Sequence, residues 1–395
     1  MRQPYQNEQT AAAKPHLPGT TIGVLGGGQL GRMIALEGVR MGYSFVTLDP
    51  APQSPLGQIA EQITAAYDDV EAARQLAEKA DVITYEFENV DANVAALLEE
   101  QSYVPQGSRL LYTTQHRLRE KAAIEAAGVP VAPYRQIRSL EELTSAAAEL
   151  GLPCVLKTAT GGYDGKGQAV IRREEELAAA YDTLASTGAE LVLEKFVKFA
   201  CEISVIAART PSGRIKSFPP AENVHVNNIL HLSIVPARVP DEVLKRATEL
   251  AERVAAGLNA VGLLAVEMFV TEEGELYVNE LAPRPHNSGH YTMEACTTSQ
   301  FEQHVRAICD LPLGETTLLT PVVMVNVLGQ HLEEVIGRFG QPDELAEDLG
   351  IVPKLHLYGK SEAKVNRKMG HINLLCADVQ SGLDWVEKTK IWRQD

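Results

Sequence analysis

The sequence predicts a multidomain chain of mixed α/β and α+β class, with a doubly wound N-terminal unit and a small, mainly-β C-terminal one. Three observations predict it. Apolar strand-like runs alternate with helical patterns over residues 20–110, as in a parallel sheet covered by helices. A loop with four glycines, in VLKTATGGYDGKGQ at 155–168, then joins two short strand patterns inside a second α/β alternation. Finally, two alternating strands around Glu272-Glu273-Gly274 carry acids within otherwise apolar segments. With 395 residues the chain exceeds the ~250–300 at which single cores stop growing. The pattern divides it at 20–128, 129–198, 199–310 and 311–395, after an arm at 1–19 expected to be disordered.

Bulk properties narrow the function classes. Hydrophobic residues make up 45% and charged residues 22%, as expected of a soluble globular enzyme. A formal net charge of −16 argues against nucleic acid or an anionic membrane as partner. A small anion could still be held by a local cluster of lysine and arginine. The five cysteines are scattered, without a C-x-x-C pair, and read as reduced thiols rather than a disulfide frame or zinc site. No run approaches the ~18 apolar residues of a membrane span, and MRQPYQNEQT is no signal peptide. The expected location is cytoplasmic.

Thr20–Leu25 reads as a buried strand, followed by GGGQLG and a helix from about Arg32 to Met41. Gly26, Gly28 and Gly31 match G-x-G-x-x-G, and the strand Ser44–Leu48 ends at Asp49, where a dinucleotide fingerprint places its ribose acid. Two readings stand: a nicotinamide- or flavin-dependent oxidoreductase, or a strand–turn–helix offering backbone N–H groups to some other phosphate. A helix at 69–79 and a strand at 82–85 continue the alternation. That strand runs into Glu86-Phe87-Glu88-Asn89, two acids at a carboxyl strand end where open sheets bind ligands, or else a solvated loop. Arg117, Arg119 and Lys121, on a helix expected over 114–127, read as a solvated face.

From Val129 the pattern is strand (131–137), helix (140–150), strand (154–157), glycine loop, strand (169–171), helix (174–185) and strand (191–194). Lys157 ends a strand beside Gly161, Gly162, Gly165 and Gly167, whose backbone can approach an anion closely. The arrangement suits a phosphate clamp; the alternative is an ordinary glycine hairpin. It is not a Walker A loop, since Gly167 rather than Ser or Thr follows Lys166. The connector Glu194-Lys195-Phe196-Val197 suits an adenine, or is a plain hinge.

The third unit opens with a hairpin, Glu202–Ala208 and Ile215–Phe218, before a helix at 241–258. Folding Leu263–Val270 onto Leu276–Leu281 brings Glu267 level with Asn279 or Glu280. Two carboxylates and an amide oxygen are hard ligands of the kind Mg²⁺ selects together with substrate phosphates. Arg284, His286 and Asn287 follow at once as candidate catalytic or substrate residues. Residues 311–395 look like a small domain of short strands carrying a basic cluster, Lys354, Lys360, Lys364, Arg367 and Lys368.

The motifs GGGQLGRM, YEFENV, VLKTATGGYDGKGQ, LEKFV, VNELAPRPHNSGHYT and LYGK…NRKMGH occur in this order from about residue 20 to the end. With them the chain resembles the ATP-grasp superfamily, and within it the 5-(carboxyamino)imidazole ribonucleotide synthetase family of bacterial purine biosynthesis. The resemblance implies an ATP-grasp fold: lid 129–198, central subdomain 199–310, an N-terminal pre-ATP-grasp domain and a small C-terminal domain. It implies that ATP is bound by Arg117 and Lys157, by the loop Gly162, Tyr163, Asp164, Gly165, Lys166, Gly167 and Gln168, by the strip Glu194, Lys195, Phe196 and Val197, and by Glu202, His225, Asn279 and Glu280. Glu267 and Glu280 become Mg²⁺ ligands, and Arg284, His286 and Asn287 catalytic residues. Gly28, Gln29, Leu30, Glu86, Glu88, Tyr163, Asp164, Arg284, Lys360 and Arg367 would surround aminoimidazole ribonucleotide and bicarbonate.

His116, where the family often has Asp, and Cys201, where a charged residue is common, depart from the pattern at the pocket's edge. The implied reaction is phosphoryl transfer from ATP to bicarbonate, then carboxylation of the ribonucleotide's amine, with no covalent protein nucleophile and no biotin. The resemblance suggests a homodimer. Against it stand the oxidoreductase, which leaves the second glycine loop and the Glu267/Glu280 hairpin unexplained, and a non-catalytic nucleotide-binding module, for which the acids would be surplus.

Overall fold

The computed structural model describes residues 14–161 and 166–393. Four strands, β1 (Thr21–Leu25), β2 (Ser44–Leu48), β3 (Glu61–Ile63) and β4 (Val82–Tyr85), form a parallel sheet in the order β3-β2-β1-β4. β4 is buried along its whole length, and β1 and β2 along four of five residues, because helices cover both faces. Helix α1 (Gln29–Arg40) starts within the glycine turn, ahead of the expected Arg32. Helix α2 (Val70–Lys79) starts where Asp69 caps the N–H groups of Glu71 and Ala72.

Two further helices, α3 (Ala92–Gln101) and α4 (Gly107–Thr114), lead into α5 (Arg117–Ala126). The single helix expected over 114–127 is therefore two: His116 is extended (φ −144°, ψ 114°) and breaks the run. The expected solvated face is also corrected, since Lys121 is buried and Arg119 lies over the Tyr112 ring at 3.6 Å.

The lid is an antiparallel sheet, β5 (Tyr134–Ile137), β6 (Cys154–Thr158), β7 (Gln168–Ile171) and β8 (Leu191–Lys195), in the order β5-β8-β6-β7. Helices α6 (Leu140–Leu150) and α7 (Leu177–Ala185) bury their apolar stripes on it.

Among the described residues the largest sheet has nine strands. β9 (Phe199–Arg209), β10 (Ile215–Ser217), β11 (Ala221–Val226), β12 (Ile229–Val235), β13 (Gly262–Thr271) and β14 (Leu276–Ala282) come from the central unit. β15 (Val322–Leu328), β16 (Val352–Leu357) and β17 (Lys368–Leu375) come from the C-terminal segment. The order is β14-β13-β9-β11-β12-β15-β17-β16, with β10 on β9. β15 pairs with β12, so the C-terminal strands extend the central sheet, and among the described residues the segment carries three α-helices and a 3₁₀ turn beside its three strands. Helix α8 (Asp241–Gly257) packs its alanine and valine face under β9 and β13 to close the main core.

Residues 14–19 correct the boundary of the expected arm. The His16 N–H donates to the Cys309 carbonyl (3.0 Å), the Tyr43 hydroxyl donates to the His16 carbonyl (2.7 Å), and the His16 ring stacks on Tyr103. Residues 1–13 lie outside the described residues. No helix among those described is long and apolar enough to cross a membrane.

Candidate active site

Three elements converge on one cleft: the end of β6 from the lid, the β13/β14 hairpin from the central sheet, and the start of α5. Lys157 leaves β6 with its Nζ 2.9 Å from Glu194 Oε2 on the neighbouring β8, and Lys121 Nζ lies 3.2 Å from Glu194 Oε1. Burial alone would raise the Glu194 carboxyl, but Lys157 and then Lys121 hold it down at about 2. Burial lowers the Lys157 pKa, against the pull of Glu194. Two lysines on one carboxylate leave a surplus positive charge, and Arg117 joins it one helical turn before Lys121.

The acid wall resolves the register left open by the sequence. Glu267 on β13 pairs directly with Glu280 on β14, and a bulge follows at Glu267/Met268, where Met268 pairs with Val278. Asn279 falls in the bulge, its Oδ1 buried and without a hydrogen-bond partner. The cleft position and the charge of Glu267 raise the Glu280 pKa, against Arg117 at 3.5 Å. Glu267 moves the other way: burial would raise it, but His286, whose Nε2 is 3.0 Å away, brings it down. His225 Nδ1 lies 3.4 Å from Glu202 Oε1, and ligand atoms of Glu202, His225 and Glu267 lie within 4.8 Å of one another. Two cross-strand carboxylates with an orphaned amide oxygen in the adjoining bulge fit the hard donor set of Mg²⁺.

The third side of the cleft belongs to the N-terminal unit. Arg284 makes a forked pair with Glu88, with Nη2 to Oε1 at 3.0 Å and Nε to Oε2. Burial would raise Glu88, but Arg284 brings it below the usual carboxylate range. Beside them Asn287 has both side-chain amide atoms buried and unpartnered.

Glu86 points instead into the glycine turn, accepting from the N–H groups of Gly28 and Gly31 (2.6 Å for the latter). Asp49 accepts from the Gly27 N–H (2.7 Å), the Ala51 N–H and the Tyr67 hydroxyl. Gly26 sits at φ +101°, and a Cβ there would lie 2.6 Å from the Glu86 side chain and 2.8 Å from Phe87. Glu86 and Asp49 take three of the turn's N–H groups, those of Gly28, Gly31 and Gly27. Gln29 and Leu30, in the first turn of α1, keep N–H groups without intrahelical acceptors. Asp49 is engaged internally, so the geometry does not favour the dinucleotide reading.

Lys360 approaches from the C-terminal segment. Its ammonium donates to the Lys368 carbonyl (2.7 Å), while burial, Arg367 and Lys368 bring its pKa down to about 8 against the attraction of Glu86. Arg367 donates to the Glu362 carbonyl (3.0 Å). Gln58 ties this segment to the N-terminal unit by donating to the Gly359 carbonyl (2.8 Å).

Gly162, Tyr163, Asp164 and Gly165 lie outside the described residues. Beyond them Lys166 and Gly167 form a turn into Gln168, which pairs with Lys157 in the β6/β7 ladder. Of the connector strip, Lys195 and Phe196 donate their N–H groups to the Pro133 and Pro153 carbonyls, and Phe196 is exposed.

Sequence reasoning missed two members of the site. Glu120 is buried, accepts from the Leu281 N–H (2.9 Å), and is raised to about 8 by burial and by Glu280. Lys121 was assigned to solvent. Both sit at helical spacing from Arg117, and the pattern R-x-x-E-K was their only available signal.

Comparison with known proteins agrees with this geometry. The description "Ribonucleotide synthetase preATP-grasp domain" matches residues 19–115, "ATP-grasp domain" residues 122–301, and "Phosphoribosylaminoimidazole carboxylase C-terminal domain" residues 322–383. These define the class as an ATP-grasp ligase. The N5-carboxyaminoimidazole ribonucleotide synthase of Bacillus subtilis (strain 168) is 51% identical over 377 residues, 95% of this chain and 96% of that one. A crystal structure of the ADP complex of an N5-carboxyaminoimidazole ribonucleotide synthetase superposes with a TM-score of 0.91 at 55% identity, covering 96% of this chain and 98% of the other. The Aspergillus clavatus N5-carboxyaminoimidazole synthase in complex with ADP and 5-aminoimidazole ribonucleotide gives 0.85 at 32% identity, covering 94% and 97%. The chain belongs to the N5-carboxyaminoimidazole ribonucleotide synthase family.

Proposed function

We propose that this chain uses ATP to carboxylate 5-aminoimidazole ribonucleotide with bicarbonate in de novo purine (IMP) biosynthesis. The products are 5-(carboxyamino)imidazole ribonucleotide, ADP and phosphate. The observation that carries the reading is the direct pairing of Glu267 with Glu280 in a cleft whose facing wall bears Lys157 and Arg117. Lys157 and Arg117 hold the ATP phosphates, under the loop 162–168. The strip Glu194–Val197 receives the adenine, and Glu202 and His225 lie on the ribose side. Glu267 and Glu280, with Asn279 beside them, would hold Mg²⁺, which supplies neutralisation of phosphate charge when bound.

Bicarbonate is placed at Arg284, between His286 and Asn287. Its oxygen takes the γ-phosphoryl group to give carboxyphosphate, and Arg284, freed from Glu88, steadies the charge that develops. The ribonucleotide lies with its 5′-phosphate between the start of α1, at Gln29 and Leu30, and the cations Lys360 and Arg367. Its amine then attacks the activated carbonyl, or CO₂ released from it, and phosphate leaves. Catalysis here is positioning and charge neutralisation in a closed cleft. The family resemblance further supports a cytoplasmic homodimer.

The test is phosphate release from ATP measured with each co-substrate omitted in turn. Release that requires both the ribonucleotide and bicarbonate supports the reading. Release indifferent to the ribonucleotide would refute it.

A further inference from the structure

Beyond β14 the chain runs Pro283-Arg284-Pro285-His286, and two prolines without N–H groups stop it from pairing as a strand. The Arg284 N–H turns back to the Ala282 carbonyl (2.9 Å), so the first backbone donor left for an outside partner is that of His286. Its partner is a side chain. The His286 N–H donates to Gln300 Oε1 (2.9 Å), and Gln300 Nε2 donates to the His286 carbonyl (2.8 Å). A backbone N–H only donates and a carbonyl only accepts, so the orientation of the Gln300 amide is fixed. One side-chain amide thus makes the two bonds that a neighbouring strand would make.

The surroundings hold that amide in place. Gln300 is fully buried, so breaking either bond leaves a polar group unpaired away from water. Its own backbone N–H donates to Thr292 Oγ1 (2.8 Å), whose hydroxyl donates to the Gly289 carbonyl (2.7 Å). Gly289 faces the amide, and a Cβ there would lie 2.6 Å from Gln300 Oε1. The helix Gln300–Ile308 sends Phe301, Val305 and Ile308 into one core with Leu30, Met33 and Ile34 of α1. It therefore bears on the start of α1, where the ribonucleotide phosphate is placed, and through Gln300 on His286, beside bicarbonate.

We propose that Gln300 is a positioning residue for the carboxylation. Its amide fixes the backbone at His286 and so sets the Arg284, His286 and Asn287 side chains in register with the phosphate end of the ribonucleotide site. This deepens the functional reading above and rests on it for its purpose, although the clamp itself does not depend on that reading.

The same helix supplies a control. Gln303, also fully buried, makes the same two bonds to Gly314, with Nε2 donating to its carbonyl (3.0 Å) and Oε1 accepting from its N–H (2.8 Å). Gly314 lies in a loop from which none of the cleft's named residues comes. The experiment compares Gln300→Met with Gln303→Met in the full chain, by thermal unfolding and by saturation kinetics in ATP, bicarbonate and the ribonucleotide. Both should lower the melting temperature by similar amounts. Only Gln300→Met should lower kcat, by roughly a hundredfold, the cost of about 1 Å of misplacement at a reacting centre, with the KM for ATP unchanged. Gly289→Ala, which crowds the amide but keeps Gln300, should reproduce the kinetic effect. Equal kcat losses in both glutamine variants, or a wild-type kcat in Gln300→Met, would overturn the proposal. Hydrogen exchange of the unaltered chain tests the clamp without any substitution, since the His286 amide should be as protected as those inside the helix Gln300–Ile308. A freely exchanging His286 amide would overturn the clamp, whereas phosphate release indifferent to the ribonucleotide would overturn the functional reading instead.

Discussion

Replacing Lys121 by methionine tests whether the buried charge balance behind the phosphate site serves nucleotide binding. The side chain is 1% exposed and lies 3.2 Å from a carboxylate that also holds Lys157. At an effective dielectric of ~20, unit charges at that distance attract by about 5 kcal/mol. Most of this is offset because methionine does not carry the desolvation cost of a buried ammonium. Glu194 also keeps Lys157, so the loss stays below the ~3–5 kcal/mol of a pair broken outright. A net destabilisation of about 2 kcal/mol is expected.

The functional effect is separate. With Lys121 gone, Glu194 and Lys157 form a neutral pair, and Lys157 must divide its charge between Glu194 and the nucleotide. Losing one charge-assisted contact of ~1.5–3 kcal/mol raises the KM for ATP roughly ten- to hundredfold, while the KM for the ribonucleotide stays unchanged. Urea unfolding and saturation kinetics in each substrate measure the two effects. Lys121→Met/Glu194→Gln should be less stable than Lys121→Met alone, because Lys157 is then a buried cation without its carboxylate. A variant with lower stability but unaltered ATP affinity would refute the charge argument; unaltered stability would refute the ion pair.

Other perturbations probe the remaining walls. Glu280→Gln should fold normally, lose most turnover and need far more Mg²⁺, because an amide does not neutralise a cation as a carboxylate does. Near-normal activity at limiting Mg²⁺ would remove Glu280 from the metal site. Lys360, with its pKa lowered to about 8, is charged below that pH and neutral above it, so kcat/KM for the ribonucleotide should fall as pH rises through about 8. Lys360→Arg should shift that limb upward, and a limb left in place would exclude Lys360 as its source. Arg367→Ala should raise the KM for the ribonucleotide roughly ten- to hundredfold with little change in the KM for ATP; the reverse pattern would move the phosphate site elsewhere.

What could be read in the sequence was set by local pattern. Ser44–Leu48, Val82–Tyr85 and Leu140–Leu150 have the expected bounds, because apolar runs and caps are local properties. The Glu267/Glu280 pairing was legible to within one residue, and the bulge that decided it depends on contacts with neighbouring strands. Lys121 was unreadable for a stronger reason. A cation at a helical polar position looks solvated until a strand about seventy residues away brings a carboxylate onto it. Glu86 and Glu88 stand two apart, yet one enters the glycine turn and the other meets Arg284, a contact 196 residues distant in sequence. Motif order identified the cleft, but not the partner of each charge within it.

Those partners follow one rule. Three groups expected to bind an anion already hold a carboxylate of the protein: Lys157 holds Glu194, Arg284 holds Glu88, and the glycine turn holds Glu86, whereas Lys360 and Arg367 donate to backbone carbonyls. Leaving buried cations or N–H groups unpaired would cost several kcal/mol each, so the folded chain supplies its own anions. An anion entering at Lys157, Arg284 or the glycine turn must compete with a carboxylate, not merely find an empty site. Glu86 is suited to yield: burial raises its pKa to about 6, against the Gly31 and Gly28 N–H groups, so its charge is weakly held where it sits. Glu194 is the opposite, held near 2, and Lys121 allows Lys157 to serve both Glu194 and a triphosphate. The cleft thus sets one carboxylate whose charge burial disfavours, Glu86, apart from one that two lysines hold ionised, Glu194, and concentrates cations locally in a chain of net charge −16.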